Sequence, residues 1–302
     1  MWISLPSAVL VFPCLLSSPL VHVNVFRQGE GGWYAFRIPE LIQAPDGSLL
    51  AFAEARKFNL RDPGGKDQEI DLVLKRSTDL GKTWSSISVI EHAGAYWSSA
   101  NPCAVVDREK GIIWLFYLRC KPGRGTYRAR GGTDDVVNLA RKSDDCGLSW
   151  SKPLDLTAIS RDMNEKRWGI SVPGPGGAIQ DRRGRLIVPM WSYFPWRNFV
   201  IFSEDHGKTW RRGAFVPGAI EGNENQLVEL PNGTLLMDIR QCQGPNRWLT
   251  ISKDGGLSWL LPFAGQKVTP VCCAIEGYSF PSKKKKFCVL WTGPKGPGRN
   301  TL

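Results

Sequence analysis

The residues most able to do chemistry in this chain are arginines in unusual company. Arg37 lies in Phe36-Arg37-Ile38-Pro39, just after Gly31-Gly32-Trp33-Tyr34. A guanidinium between aromatic and apolar neighbours on an inner strand is costly unless an anion meets it. That anion is either an acid of the chain itself or a ligand. Arg240 in Asp238-Ile239-Arg240 and Arg299 in Gly298-Arg299-Asn300-Thr301-Leu302 raise the same alternative, surface salt bridge or ligand contact. Guanidinium groups, wherever they are brought together, repel one another unless they share an anion. Carboxyl groups stand in two further blocks. The loop Asn59 to Asp67 holds Asp62 and Asp67, each by itself an ordinary turn former. Glu224 and Glu229 differ by five positions, so along a strand they face opposite sides and cannot both point inward.

The elements that must position these residues announce themselves as a repeat. S-x-D-x-G-x-[S/T]-W occurs four times, at Ser77 to Trp84, Ser143 to Trp150, Ser203 to Trp210 and Ser252 to Trp259. Asp79, Asp145, Asp205 and Asp254 can accept backbone N–H bonds and pin a tight turn. Gly81, Gly147, Gly207 and Gly256 can take the positive φ such a turn needs. The tryptophans are expected to be buried against their own blades. Four copies mark a repeat architecture and a structural role for the boxes. Short strands rich in β-branched, leucine and aromatic residues are expected at Ser48 to Ala53, Ile112 to Tyr117, Leu186 to Met190, Thr234 to Ile239 and Lys286 to Trp291. Pro45-Asp46-Gly47, Arg183-Gly184 and Pro231-Asn232-Gly233 supply turns before several of them. Helical periodicity is hard to find, and 32 Gly and 21 Pro suit many turns. The fold class is all-β, a propeller.

The net charge of +11 admits nucleic-acid binding or a basic enzyme surface. The basic residues are mostly dispersed and no nucleic-acid motif accompanies them, so no nucleic-acid partner is expected; the positive field would attract an anionic ligand. The one dense run, Lys283 to Lys286, suits a solvated hairpin turn. Eight cysteines show no metal-ligand spacing, and with three His zinc chemistry is not expected. Met1 to Val25 carries no charged residue, and two readings stand: a signal or secretion-related segment, slightly favoured, or a misassigned start upstream of a first strand at His22 to Phe26. Pro6 and Pro13 break the apolar run, so no stable membrane span is expected.

The four boxes preceded by Phe-Arg-Ile-Pro resemble the sialidase (neuraminidase) family, and the likeness runs from about His22 onward. It implies a six-bladed sialidase-type β-propeller over residues 22–302, after an N-terminal segment 1–21. It implies exo-hydrolysis of terminal α-linked sialic acids with retention, sialylated glycans as partners, and no cofactor. Residue by residue, Arg37, Arg240 and Arg299 match the arginines that bind the sugar carboxylate, and Asp62 matches the general acid/base, with Asp67 as runner-up. Glu224 matches the partner of a tyrosine nucleophile, Arg56 in Ala-Glu-Ala-Arg a pocket arginine, and Asn101 a pocket-lining position. Trp191 and Tyr193, alternating onto one face, match the wall against the N-acetyl group; ordinary core packing is the alternative for these last three. The family's tyrosine follows the third arginine, whereas all six tyrosines (34, 96, 117, 127, 193, 278) precede it here. The expectation is therefore a propeller lacking its last blade or part of it, either a fragment or an incomplete relative. A non-catalytic sialoglycan-binding propeller is the rival.

Overall fold

A computed structural model describes residues 22–218, 221–280 and 286–294. The first blade is built from β1 (Ala35–Gln43), β2 (Leu49–Arg56), β3 (Ile70–Ser77) and β4 (Ser88–Glu91), all antiparallel. The second is β5 (Ser98–Asp107), β6 (Ile112–Cys120), β7 (Val136–Ser143) and β8 (Leu154–Asp155). A single parallel bridge, Ile70 to Ser98, joins the two. In the third, β9 (Ile170–Pro173) and β10 (Ile179–Gln180) share the inner place beside β11 (Leu186–Tyr193), followed by β12 (Arg197–Ser203) and β13 (Arg211–Arg212). The fourth is β14 (Gly222–Glu229), β15 (Leu235–Gln241), β16 (Asn246–Ser252) and β17 (Phe263–Lys267), and a hairpin, β18 (Ala274–Ser279) with β19 (Phe287–Thr292), follows.

The strands read as near-continuous apolar runs because blades pack face to face. β2, β6 and β11 are buried on both sides along most of their length, so strict alternation has no solvent face to serve. The clusters straddle neighbouring blades: Phe52 and Leu72 with Leu115 and Leu139, Trp114 and Phe116 with Val188 and Phe199, Ile187 and Phe202 with Leu227 and Met237. Gly47, Gly184 and Gly233 close the hairpin turns at φ of 83°, 82° and 84°. The inner strands surround a central channel of about 880 Å³. Glu40 and Gln226 tie its wall together. Glu40 Oε1 accepts from the backbone N–H of Ala104 (2.7 Å) and Gly177 (2.9 Å); Gln226 Nε2 donates to Pro175 O (2.9 Å) and its Oε1 accepts from Ile275 N–H (3.1 Å).

Each Asp-box turn connects the third strand of its blade to the fourth. In all four the Ser Oγ donates to Asp Oδ1 at 2.8 Å. That Oδ1 also accepts the backbone N–H of Thr83, Ser149, Thr209 or Ser258, while the box glycine N–H donates back to the Ser Oγ. The residue before each glycine, Leu80, Cys146, His206 or Gly255, is also left-handed. The tryptophans depart from expectation in two ways. Trp210 and Trp259 are buried, but Trp84 and Trp150 are only half-buried. Nor do they pack only on their own blades: Trp150 meets Phe52 of the preceding blade at 5.9 Å, and Trp210 meets Trp114 and Phe116 at 5.8 and 5.1 Å. The turn lies over the flank of the neighbouring blade, and the box glycine shares that contact: a Cβ on Gly207 would stand 2.2 Å from the Trp114 ring.

His22 to Phe26 does not form a strand; the first is Ala35–Gln43, and Phe26 instead stacks on Phe36 at 5.1 Å. The segment 1–21, Arg299 and Lys283 to Lys285 lie outside the described residues. Among the described residues no helix is long and apolar enough to cross a membrane, and the seven cysteines are free thiols.

Candidate active site

The inner strands break at one level of the propeller, and the site is built on those breaks. Ile38 before Pro39, Asn101 before Pro102 and Gly174 before Pro175 have φ of 53°, 56° and 43°. Register slips between Arg37 and Glu40 in β1, between Ala100 and Cys103 in β5, and between Gly222 and Asn225 in β14. A left-handed, β-branched Ile38 is a strained backbone held in place by its surroundings. A bulge turns the strand and re-aims its side chains, and a proline there forfeits no ladder bond. Arg37, Asn101 and Glu224 each sit at such a bulge. The remaining residues come from ends of second strands: Arg56 ends β2, Trp191 and Tyr193 close β11, and Arg240 stands near the end of β15.

Pairing puts these ends opposite the Asp-boxes. Arg56 pairs with Ile70 at the start of β3, whereas Ser77, where the box begins, pairs with Leu49. Seven strand residues at about 3.3 Å each separate the two rims by roughly 20 Å. The boxes stand at the other rim, in keeping with a structural role.

Arg37, Arg56, Asp62, Asn101, Trp191, Tyr193, Glu224 and Arg240 line one cavity of about 250 Å³. It is smaller than the central channel, yet charged side chains from the first and fourth blades meet in it. Arg240 Nη1 donates to Glu224 Oε2 at 2.5 Å, both largely shielded from solvent. Arg37 is held loosely, with Nη1 3.5 Å from both Asp62 Oδ1 and Leu60 O. The Asp62 side chain is 80% exposed. Trp191 and Tyr193 meet edge to face at 5.0 Å, and Trp191 Nε1 donates to Gly174 O. Burial pushes the Tyr193 phenol well above its ordinary range. Glu229 pairs with Arg182 away from the cavity, so the two glutamates do not both point inward. Asp67 pairs with Arg61 at 2.5 Å and does not line the cavity, which leaves Asp62 as the loop carboxyl there. Tyr278 is half-exposed beside Phe280, also outside it.

Arg56 is more constrained than its sequence context suggests. It is fully buried, with Nε and Nη2 donating to Glu54 Oε2 (3.0 and 2.6 Å) and Nη1 donating to Leu60 O and Arg61 O (2.6 and 2.9 Å). Its guanidinium therefore anchors the loop that carries Asp62. Glu54 is the partner that sequence reasoning passed over. Its other oxygen accepts the Asn101 N–H at 3.0 Å, so one buried carboxylate orients two cavity residues. Burial raises the Glu54 carboxyl above its usual range, against the pull of Arg56. The Ala-Glu-Ala-Arg alternation put both charges on one face, and a buried Arg needs such a partner. Tyr127, on the cavity rim, and Asn223, whose Nδ2 lies 3.3 Å from Tyr193 Oη, were also missed, because neither sits in a motif.

One group of described residues has metal-like spacing, Glu69, Asp71 and His92, outside the cavity. Its atoms are in use: Asp71 accepts from Trp33 Nε1 and lies 2.8 Å from His92 Nδ1, and Glu69 accepts from Tyr96 N–H.

A family model for the BNR repeat-like domain matches residues 47–284. Mouse sialidase-4 is 30% identical over 301 residues, covering 89% of this chain and 60% of the relative, and human sialidase-4 is 32% identical, covering 91% and 61%. A sialidase of Micromonospora viridifaciens is 31% identical over 76% of this chain and 37% of its own. The chain thus spans about three fifths of the length of the sialidase-4 relatives. Among solved structures, a Hadza microbial sialidase superposes with a TM-score of 0.79 at 24% identity, covering 91% of this chain and 57% of that one. The intramolecular trans-sialidase of Ruminococcus gnavus, solved with oseltamivir carboxylate, gives 0.78 at 19%, covering 90% and 80%. These likenesses establish the propeller fold.

Proposed function

The chain belongs to the sialidase family of BNR-repeat propellers, and from that premise we propose that it is an exo-α-sialidase. Its substrates are terminal α-linked sialic acids of glycoproteins, glycolipids and oligosaccharides, hydrolysed with retention. One observation carries the reading: arginines of the first and fourth blades share a small cavity with Asp62 and Glu224.

Arg37, Arg240 and Arg299 hold the sugar carboxylate. The contacts of Arg37 at 3.5 Å are weak, so an entering carboxylate replaces them with shorter, charge-assisted bonds. Trp191 and Tyr193 face the N-acetyl group, with Asn101 on the pocket wall. Asp62, exposed on its loop, protonates the leaving oxygen and then activates water. The fixed carboxylate disfavours an acidic nucleophile at the adjacent carbon, which is why sialidases use a tyrosine; Glu224 is the partner of such a tyrosine, which none of the six in this chain matches. Residues 22–302 form the propeller domain that carries these groups.

A second reading, a sialoglycan-binding propeller, is favoured by one fact. Among the described residues no tyrosine is hydrogen-bonded to Glu224. Turnover of an aryl α-sialoside, measured beside binding of free sialic acid, separates the two. Release of the phenol with retention, abolished by Arg37→Ala, carries the enzyme. Binding without release carries the lectin-like reading, and absence of both overturns the site.

A further inference from the structure

Beside the sialic acid cavity runs a second concavity of about 340 Å³, between the Asp62 loop and the segment 125–128. The two share Asp62, Pro63, Thr126 and Tyr127. This sharing gives the groove a chemical meaning that rests on the exo-sialidase reading. An acid that protonates the glycosidic oxygen stands between the sugar being cleaved and the group that leaves. With the sialic acid on the Arg37 and Arg240 side of Asp62, the leaving group extends toward the groove.

The groove is basic. Arg61 and Asp67 neutralise each other at 2.5 Å. Lys66 and Arg128, both exposed, have no ion-pair partner among the described residues and line the same concavity. Its walls are fixed. Gly64 N–H donates to the buried Ser98 hydroxyl at 3.0 Å, and Gln68 Nε2 donates to Asn59 O, Asn59 Oδ1 and Arg61 O, each at 2.9 Å. The Lys66 stem rests against Gly123, two residues before the facing segment. Tyr127, 75% exposed and 5.2 Å from the Tyr193 ring, offers a face on which a pyranose can stack at the junction of the two spaces.

We infer that this groove is a leaving-group subsite selective for an anionic sugar, with Lys66 and Arg128 meeting its charge. Two leaving groups have that chemistry: a second sialic acid, as in disialyl and oligosialyl chains, and a sulfated sugar. Both present an acid oxygen cluster on a pyranose next to the scissile bond. Exposed charge pairs are individually weak, so the two cations together give a preference of about threefold to tenfold that falls as salt screens it.

The test compares kcat/KM on four sialosides: a disialyl oligosaccharide, a sialylated sulfated lactose, a sialyl lactose and an aryl sialoside. The native protein is measured beside the double variant Lys66→Ala with Arg128→Ala, neither residue being placed in the cleavage machinery. The expected result is a loss of about threefold to tenfold on the anionic leaving groups, with less than about twofold on the neutral ones. Loss on the disialyl substrate alone assigns the subsite to sialic acid; loss on the sulfated one alone assigns it to sulfate. Equal losses on all four, or none on any, overturn the inference while leaving the sialidase reading intact. A native protein that turns over none of them contradicts the sialidase reading instead. The same ratio is then read from binding of disialyl against monosialyl oligosaccharide, and no difference between native and variant there overturns the subsite as well.

Discussion

Gly64 and Gly125 meet backbone to backbone. A Cβ added to Gly64 would lie 2.4 Å from Gly125 Cα, and one added to Gly125 would lie 2.2 Å from Pro63 O. No side chain fits between them, so the loop that bears Asp62 rests directly on the neighbouring blade's connection. Arg56 pins the same loop from inside the first blade through Leu60 O and Arg61 O. Asp62 is therefore exposed yet carried on a backbone braced from two sides.

Gly125→Ala must push Pro63 away and take Asp62 with it. Overpacking of this kind costs roughly 1–3 kcal/mol of stability. Misplacement of a reacting group by about 1 Å costs on the order of a hundredfold in rate. Turnover of a natural sialoside should fall at least tenfold, while sialic acid affinity, which the proposed function assigns to the arginines, should change little. Normal turnover in a folded Gly125→Ala protein would show that the brace does not govern the acid.

Asp62→Ala tests the acid role through the leaving group. Natural glycosides need a proton on the departing oxygen; activated aryl sialosides need much less help. General acid catalysis is worth about 10²–10⁴, so the loss should reach that range on sialyl lactose and be far smaller on the aryl substrate. Equal losses on both would make Asp62 a loop residue and leave the cavity without its acid.

Trp210→Ala examines the boxes as joints between blades. Trp210 packs on Trp114 and Phe116 of the preceding blade, and its Nε1 donates to Gly207 O at 3.1 Å. Deleting a buried Trp costs about 3–5 kcal/mol. Chemical denaturation should show that loss, with sialic acid affinity near normal in the folded fraction, since the site lies at the other rim. A large affinity loss without destabilisation would make the boxes functional.

How much of this was legible beforehand follows from where the forces act. The Asp-box reads directly because its turn is local: Asp79, Ser77 and Gly81 satisfy one another within five residues. The arginine segments and the Asp62 loop were legible through their family resemblance, and, apart from the runner-up Asp67, all the described residues so chosen line one cavity. The structure shows the bulges at Ile38 and Asn101, which aim those residues, only once the strands are paired. Glu54 was hidden because its two partners, Arg56 and Asn101, are near and far in sequence. The Trp contacts were misassigned for the same reason: which blade a turn folds against is not written in the turn.

Glu40 should make stability fall as pH rises. It is 6% exposed, its Oε1 accepts two backbone N–H bonds, and its Oε2 is buried without a partner among the described residues. Burial lifts its pKa from 4.5 to about 7 against the two backbone donors. A raised carboxyl pKa means the folded chain binds the proton more tightly than the unfolded one. The contribution is favourable below the unfolded value near 4.5 and is lost as pH climbs toward 7, a swing of about 3 kcal/mol. Glu54 and Asp238, also raised by burial, add to the same decline. The box carboxyls of Asp79, Asp145 and Asp205, lowered to about 2 by their hydrogen bonds, act only below pH 4. Glu40→Gln keeps the acceptor oxygen and removes the charge. Urea denaturation from pH 5 to pH 8 should show the variant losing less stability than the native protein, and overtaking it at the alkaline end. Parallel curves would mean that Glu40 is ionised and solvated in the channel, and that its two backbone bonds outweigh its burial.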